Sequence, residues 1–263
     1  MKKNIRFLAL LIKMKISHMM VFRLSFFGAF FADMTLFVVQ LYTFSVLYGH
    51  VDAIGNWTRG QMIIFIGTFS MINGLNMVIY FFGVLGIPQK IREGLLDVYI
   101  TKPGNTLLRL TFENVNLGSL PLLVFSGAVI GYGIQVEGVA LTWGMGLAYA
   151  GLVLLMTLLY YDMELILRTI PFFAIATSAI DRLEGEILML HFKIPGVLFN
   201  GVLKFIFYFV LPYGIMATVP TQLITRTLTP GGLVHALGMT AVCTAFALWF
   251  WKQGMKHYKS ASS

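Results

Sequence analysis

Lys90, Arg92, Glu93, Asp97 and Lys102 fall within one polar stretch, Pro88 to Pro103, of an otherwise apolar chain. Cations and carboxylates are mixed and no nucleophile sits beside a base, so the chemistry on offer is ion pairing and hydrogen bonding with a partner surface. Ile91, Leu95 and Val98 alternate with these charges at helical spacing, and Lys102-Pro103-Gly104 is a hard stop. The stretch reads as a short helix presenting a charged face, either simply solvated or docked to a soluble protein.

A second group of polar residues lies inside apolar runs. Asp33 stands well within the run that begins at Leu24, where a charge costs roughly 2.5 to 3.5 kcal/mol on insertion scales unless it faces protein or water. It contacts either a cationic substrate or partner side chain, or a neighbouring helix through an orienting hydrogen bond. Glu164 and Arg168 are one helical turn apart and can pair near the inner membrane interface, which leaves Asp162 less explained. Asn73, Asn76 and Tyr80 share one helical face. That stripe either lines a substrate pathway or glues helices together, at about 0.6 to 2 kcal/mol per bond. Gly127 and Gly131 form a small-xxx-small pair suited to close helix packing.

The chain contains no Gly-rich loop ending in Lys-Ser or Lys-Thr, so it is not expected to hydrolyse nucleotide alone. His18, His50, His191, His235 and His257 lack the i, i+4 spacing of a zinc helix. No catalytic residue, metal or other bound cofactor is expected. Cys243 is the only cysteine, which excludes an intrachain disulfide. The formal net charge of +8 is carried by cations that flank apolar segments, without the interleaved base-stacking aromatics of a nucleic-acid surface. Membrane lipid, not nucleic acid, is the polyanionic partner.

These residues are positioned by membrane-spanning helices. With 58% hydrophobic and 11% charged residues, and a mean hydropathy of +0.81, the chain is far from the roughly 25% charged composition of a soluble domain. Six apolar stretches of spanning length can be drawn, about Leu24 to Tyr48, Gln61 to Ile87, Leu107 to Gly133, Leu141 to at least Tyr161, a fifth from near Val197, and Leu233 to Trp251. Thr169 to Ala179 continues the fourth or lies at the interface. Pro212 and Pro220 predict a broken or re-entrant segment at the outer end of span five. Lys204, within the fifth run, is expected to snorkel to the inner headgroups.

Residues 1–23 read as an amphipathic interfacial helix, with Ile5, Leu8, Ile12, Ile16 and Met19 opposite Lys2, Arg6, Lys13 and Ser17. Residues 24–251 form the bundle and 252–263 a basic tail. Of the nineteen Lys and Arg residues, only Arg59 and Arg226 fall on the outer side of this arrangement. Both termini and the Pro88 to Pro103 stretch are therefore expected in the cytoplasm. The fold class is an all-α integral membrane protein, and 1–263 is one domain.

The run Ile91-Arg92-Glu93-Gly94-Leu95-Leu96-Asp97-Val98-Tyr99-Ile100-Thr101-Lys102-Pro103 resembles the pattern after the second span in permease subunits of type-2 ATP-binding-cassette (ABC) exporters. Ile194-Pro195, Val210-Leu211-Pro212 and Val219-Pro220 are similar to the fifth-span region of those permeases. Phe172-Phe173 stands near their aromatic pair, with phenylalanine where tryptophan is more usual.

The resemblance implies a dimer, with a second copy or a diverged permease, carried on two cytosolic ABC ATPase subunits that bind ATP and Mg. The Pro88 to Pro103 stretch would be a coupling helix held in an ATPase cleft, with Lys90, Arg92, Glu93, Asp97 and Lys102 as coupling residues. An amphiphilic or hydrophobic substrate (drug, peptide or lipid-like) would move outward across the bacterial cytoplasmic membrane by alternating access. Two other classes remain open at this point. One is an anchoring or assembly subunit that recruits a cytosolic partner without transporting; the other is an intramembrane enzyme using Asp33, Asp162 or Glu164.

Overall fold

A computed structural model describes residues 23–174, 182, 185–187, 190 and 194–258. The expected interfacial helix up to residue 22 and the end of the basic tail lie outside the described residues. Among the described residues the chain is helical and contains no strand, as lipid demands, because an open sheet edge would leave backbone groups without partners.

The first helix, α1 (Arg23–Leu47), is continuous over 25 residues. A turn then leads to α2 (Arg59–Ile79), whose start is fixed by a capping box. The Thr58 hydroxyl accepts from the Gln61 N–H, and Gln61 Oε1 accepts from the Thr58 N–H, both at 3.2 Å. The ladder is interrupted at Tyr80 and Gly86, giving the short helices α3 (Phe81–Leu85) and α4 (Ile87–Arg92). Two more short helices follow, α5 (Asp97–Ile100) and α6 (Thr106–Phe112).

The third span was expected to start at Leu107. Instead the chain breaks at Glu113 to Asn116, the Asn116 N–H donates to Val78 O at 3.1 Å, and the long helix α7 (Leu120–Glu137) begins after a tight turn. Gly138, at φ 70°, ends α7 in the left-handed conformation. The helix α8 (Trp143–Thr169) starts on a Thr142 cap and ends in a turn containing Pro171.

Further along lie α9 (Gly201–Phe205), continuing into a π turn, α10 (Tyr213–Met216) and α11 (Thr218–Ile224). Thr229 caps the last helix, α12 (Pro230–His257). Among the described residues four helices are long and apolar enough to cross a membrane: Arg59–Ile79, Leu117–Glu137, Trp143–Phe172 and Pro230–His257. Gly201–Val210 with Tyr213–Ile224 would make a fifth, but this pair is bent by 80°. Pro212 supplies the bend, since it lacks an N–H and restricts Leu211 before it.

That bent pair corrects one expectation. Val197, Leu198 and Asn200 before it and Gln222 and Thr227 near its end line one pocket with Gly55, Asn56 and Trp57. The pair therefore returns to the end of the bundle from which it starts, where α1 hands over to α2. The Gly196 N–H donates to Thr218 Oγ1 at 3.1 Å and holds the two arms together. A fifth span beginning near Val197 at the opposite end is not what is found, and Lys204, beside the Tyr208 ring, follows one turn after Asn200 of that pocket. Phe172, by contrast, packs at the far end against Trp251 and Tyr258. The described flanks of residues 175–193 are thus at opposite ends of the bundle.

The tightest seam joins α2 to α7. A Cβ on Gly67 would lie 2.7 Å from Ile130 Cγ1, and one on Gly133 would lie 2.8 Å from Ile64 Cγ1, so each position has room only for hydrogen. Of Gly127 and Gly131, expected in such a seam, Gly131 is turned away from it, with nothing within 4 Å of a Cβ there, while a Cβ on Gly127 would meet Met71 Cε of α2 at an ordinary 3.9 Å. Ser126 donates to Ser70 at 2.7 Å across the same seam.

Candidate functional site

The polar stretch after α2 was expected as one helix and is two. Gly94, at φ 69°, adopts the left-handed conformation that ends α4 and redirects the chain into α5. Leu96, fully buried, then plugs a core cluster containing Val84, Ile87, Leu107, Leu110, Leu165 and Trp251. The loop is therefore seated on the bundle end by a side chain between its two helices.

Behind the loop is a polar clamp. Lys90 Nζ pairs with Glu113 Oε1, and the Tyr99 hydroxyl donates to Glu113 Oε2 at 2.6 Å. Lys90 also lies 5.4 Å from the centre of the Tyr99 ring. One carboxylate thus ties α4 and α5 to the break before α7. Burial, and then the Glu113 carboxylate, push the Tyr99 phenol above its ordinary value, which keeps it protonated as a donor.

The kink at Gly94 overturns part of the expected faces. Leu95 and Val98, assigned to the apolar inner face, are exposed at 47% and 49%. Lys90 and Asp97, assigned to the charged outer face, are half-buried. Asp97 lies beside the Tyr258 phenol, whose value burial and then Asp97 raise. Arg92, Glu93 and Lys102 remain exposed, and Gln89 Nε2 donates to Glu93 Oε1 at 2.8 Å. The outward surface is thus Arg92 and Glu93 beside two apolar tips, with Lys102 beyond. Such a surface, apolar at its centre and charged at its rim, suits protein docking.

A family model described as ABC-2 family transporter protein matches residues 34–262. The chain belongs to that family. Membership makes it a membrane permease component of an ABC transporter and implies an associated ABC ATPase subunit. No curated protein and no solved structure matches the chain.

The permease keeps its other polar residues apart from this loop. Asp33 falls within α1, and its side chain lies outside the described residues. Tyr80 points into the bundle, donating to Thr157 O at 3.0 Å with its ring 5.0 Å from that of Tyr161. Asn76 is buried on the same face with Oδ1 unbonded among the described residues. Asn73 is half-buried, its amide 3.8 Å from Met77 Sδ. The stripe therefore faces α8 at Tyr80 and is only partly open at Asn73.

Arg168 Nη2 lies 3.4 Å from Glu164 Oε2, and both residues are buried at the end of α8 nearest the loop. Asp162, also buried, accepts from the Thr244 hydroxyl on α12 at 2.5 Å. Phe172 rests edge-on against Trp251, 5.5 Å between centroids.

Glu113, Tyr99 and Leu96 carry the loop geometry and were not singled out in the sequence. A signal was present for Glu113, since Glu113-Asn114 and Asn116 interrupt an apolar run where a span could not comfortably continue. Nothing local distinguishes Leu96 from Leu95.

Proposed function

We propose that this permease is the membrane-spanning subunit of an ATP-driven exporter, moving an amphiphilic or hydrophobic substrate outward while a separate ATPase subunit binds ATP and Mg. The observation that carries this reading is the Lys90–Glu113–Tyr99 clamp under an exposed Arg92, Glu93, Leu95 and Val98 surface. A docking loop that transmits force must be stiff behind its contact face. A solvated loop has no need of a buried plug such as Leu96.

In this reading α4 and α5 form the coupling element. ATP binding closes the ATPase pair, the loop moves with its ATPase, and rigid-body motion reaches α2 through α3 and α7 through Glu113. ATP shifts access only insofar as it favours one arrangement of the permease over another. A second permease copy or a diverged one completes the dimer.

The topology proposed keeps six crossings, five of them the described helices α1, α2, α7, α8 and α12. The bent pair is then a re-entrant hairpin from the outer side. Both termini and the coupling element lie in the cytoplasm of a bacterial cell, and Lys204 joins Arg59 and Arg226 outside, which still leaves the cationic excess within. The reading is tested by co-expressing the permease with its ABC ATPase and measuring substrate-stimulated ATP hydrolysis. Stimulation lost on replacing Glu93 and Leu95, with the chain still inserted, is the expected result. Unchanged stimulation would overturn it.

A further inference from the structure

Between α1, α2 and α7 the permease has a crevice of about 490 Å³, in the volume range of ligand sites. Its floor is apolar, formed by residues such as Met62, Ile66 and Val129, while Ser45, Arg59 and Tyr132 stand around its mouth. Tyr42 and Tyr132 on its two banks are exposed, so the crevice opens sideways, toward the hydrocarbon of the membrane.

The cation at its mouth makes no ion pair among the described residues. Arg59 Nη2 donates to Ser45 Oγ at 3.2 Å. The carboxylate of Glu137, on the neighbouring α7, accepts instead from the Thr58 hydroxyl at 2.5 Å. Arg226, by comparison, is held by Ala140 O at 3.2 Å. An exposed guanidinium at a helix start, above a sideways-opening apolar crevice, matches one ligand chemistry: an acyl chain below and an anionic phosphate above.

We propose that this crevice is a binding site for an anionic phospholipid, its phosphate on the Arg59 guanidinium and one acyl chain between α1 and α7. The site is separate from the coupling loop; only its assignment to the outer leaflet rests on the topology proposed above. Arg59 sets the headgroup preference, and the apolar floor sets retention of the chain.

The test uses the full-length permease in detergent, exchanged against vesicles holding equal amounts of phosphatidylglycerol and phosphatidylcholine with identical acyl chains. Lipid retained after purification is counted by native mass spectrometry. The wild type should retain phosphatidylglycerol over phosphatidylcholine by about fivefold, the size of one cation acting on an anionic headgroup. Arg59→Gln should bring the ratio near one while keeping total lipid, and Ala128→Trp, which fills the crevice from an exposed position, should lower retention of both. Glycerol phosphate without chains should not compete. Equal retention by the wild type, or a preference that survives Arg59→Gln, overturns the proposal whether or not the tryptophan variant folds. Failure of the permease to stimulate an ATPase would count against the transport reading and leave this result standing.

Discussion

Tyr99 donates to Glu113 across 2.6 Å, joining α5 to the chain break that precedes α7. The same carboxylate holds Lys90 of α4, so its removal should loosen both loop helices together. A charge-assisted hydrogen bond contributes about 1.5 to 3 kcal/mol. Glu113→Gln is expected to speed amide exchange across residues 90–101 by roughly tenfold or more, and Tyr99→Phe to do so by less. Exchange unchanged in Glu113→Gln would mean that the loop is held by Leu96 alone.

The exposed face is expected to bind the ATPase through Leu95 with Glu93 at its edge. Replacing Leu95 by Asp and Glu93 by Lys should reduce ATPase copurified with the permease by about tenfold, the loss of one well-packed contact of about 1.4 kcal/mol. Helix content by circular dichroism should not change, because both side chains point outward.

Much of this was legible because it is local. Pro88 to Pro103 was recognisable as a polar interruption of apolar runs, and Pro212 as a break in the fifth of them. What was not legible depends on partners distant in sequence or on one backbone angle. Glu113 meets Lys90 across 23 positions, and Gly94 turns the chain ahead of α5 so that Leu96 goes in and Leu95 comes out. The direction of the chain at Val197 is set by contacts with Trp57, and hydropathy carries no information about which end of a bundle an apolar stretch begins from.

The seam between α2 and α7 gives a stability prediction. Gly67→Val or Gly133→Val must displace a packed helix, at a cost of about 1 to 3 kcal/mol. The thermal midpoint of the purified permease should fall in each variant. Gly131→Val, facing open space, should leave it unchanged.

Arg168 and Glu164 test the buried pair at the end of α8 nearest the loop. Removing Arg168 as Arg168→Met deprives a buried carboxylate of its ion pair and should cost about 3 to 5 kcal/mol. Adding Glu164→Gln to that variant should recover part of the loss, measured by the same thermal midpoint. A double variant no more stable than Arg168→Met would show that the two side chains are not coupled.

The hairpin around Pro212 predicts labelling behaviour that differs from a simple fifth span. Single cysteines at Asn56, Asn200 and Thr227, in a Cys243→Ala background, should all react with an impermeant maleimide from the same side of intact cells. Reaction of Asn200→Cys from the opposite side would rule out a hairpin that returns to its own end.

The central claim is that the α4–α5 loop grips the ATPase from the cytoplasm, and a cysteine at Val98 tests it most directly. In the Cys243→Ala background, Val98→Cys should cross-link to a co-expressed ABC ATPase and should be protected from impermeant maleimide on intact cells. Labelling of Val98→Cys from outside, with no cross-link formed, would put the loop on the wrong face of the membrane and contradict the account.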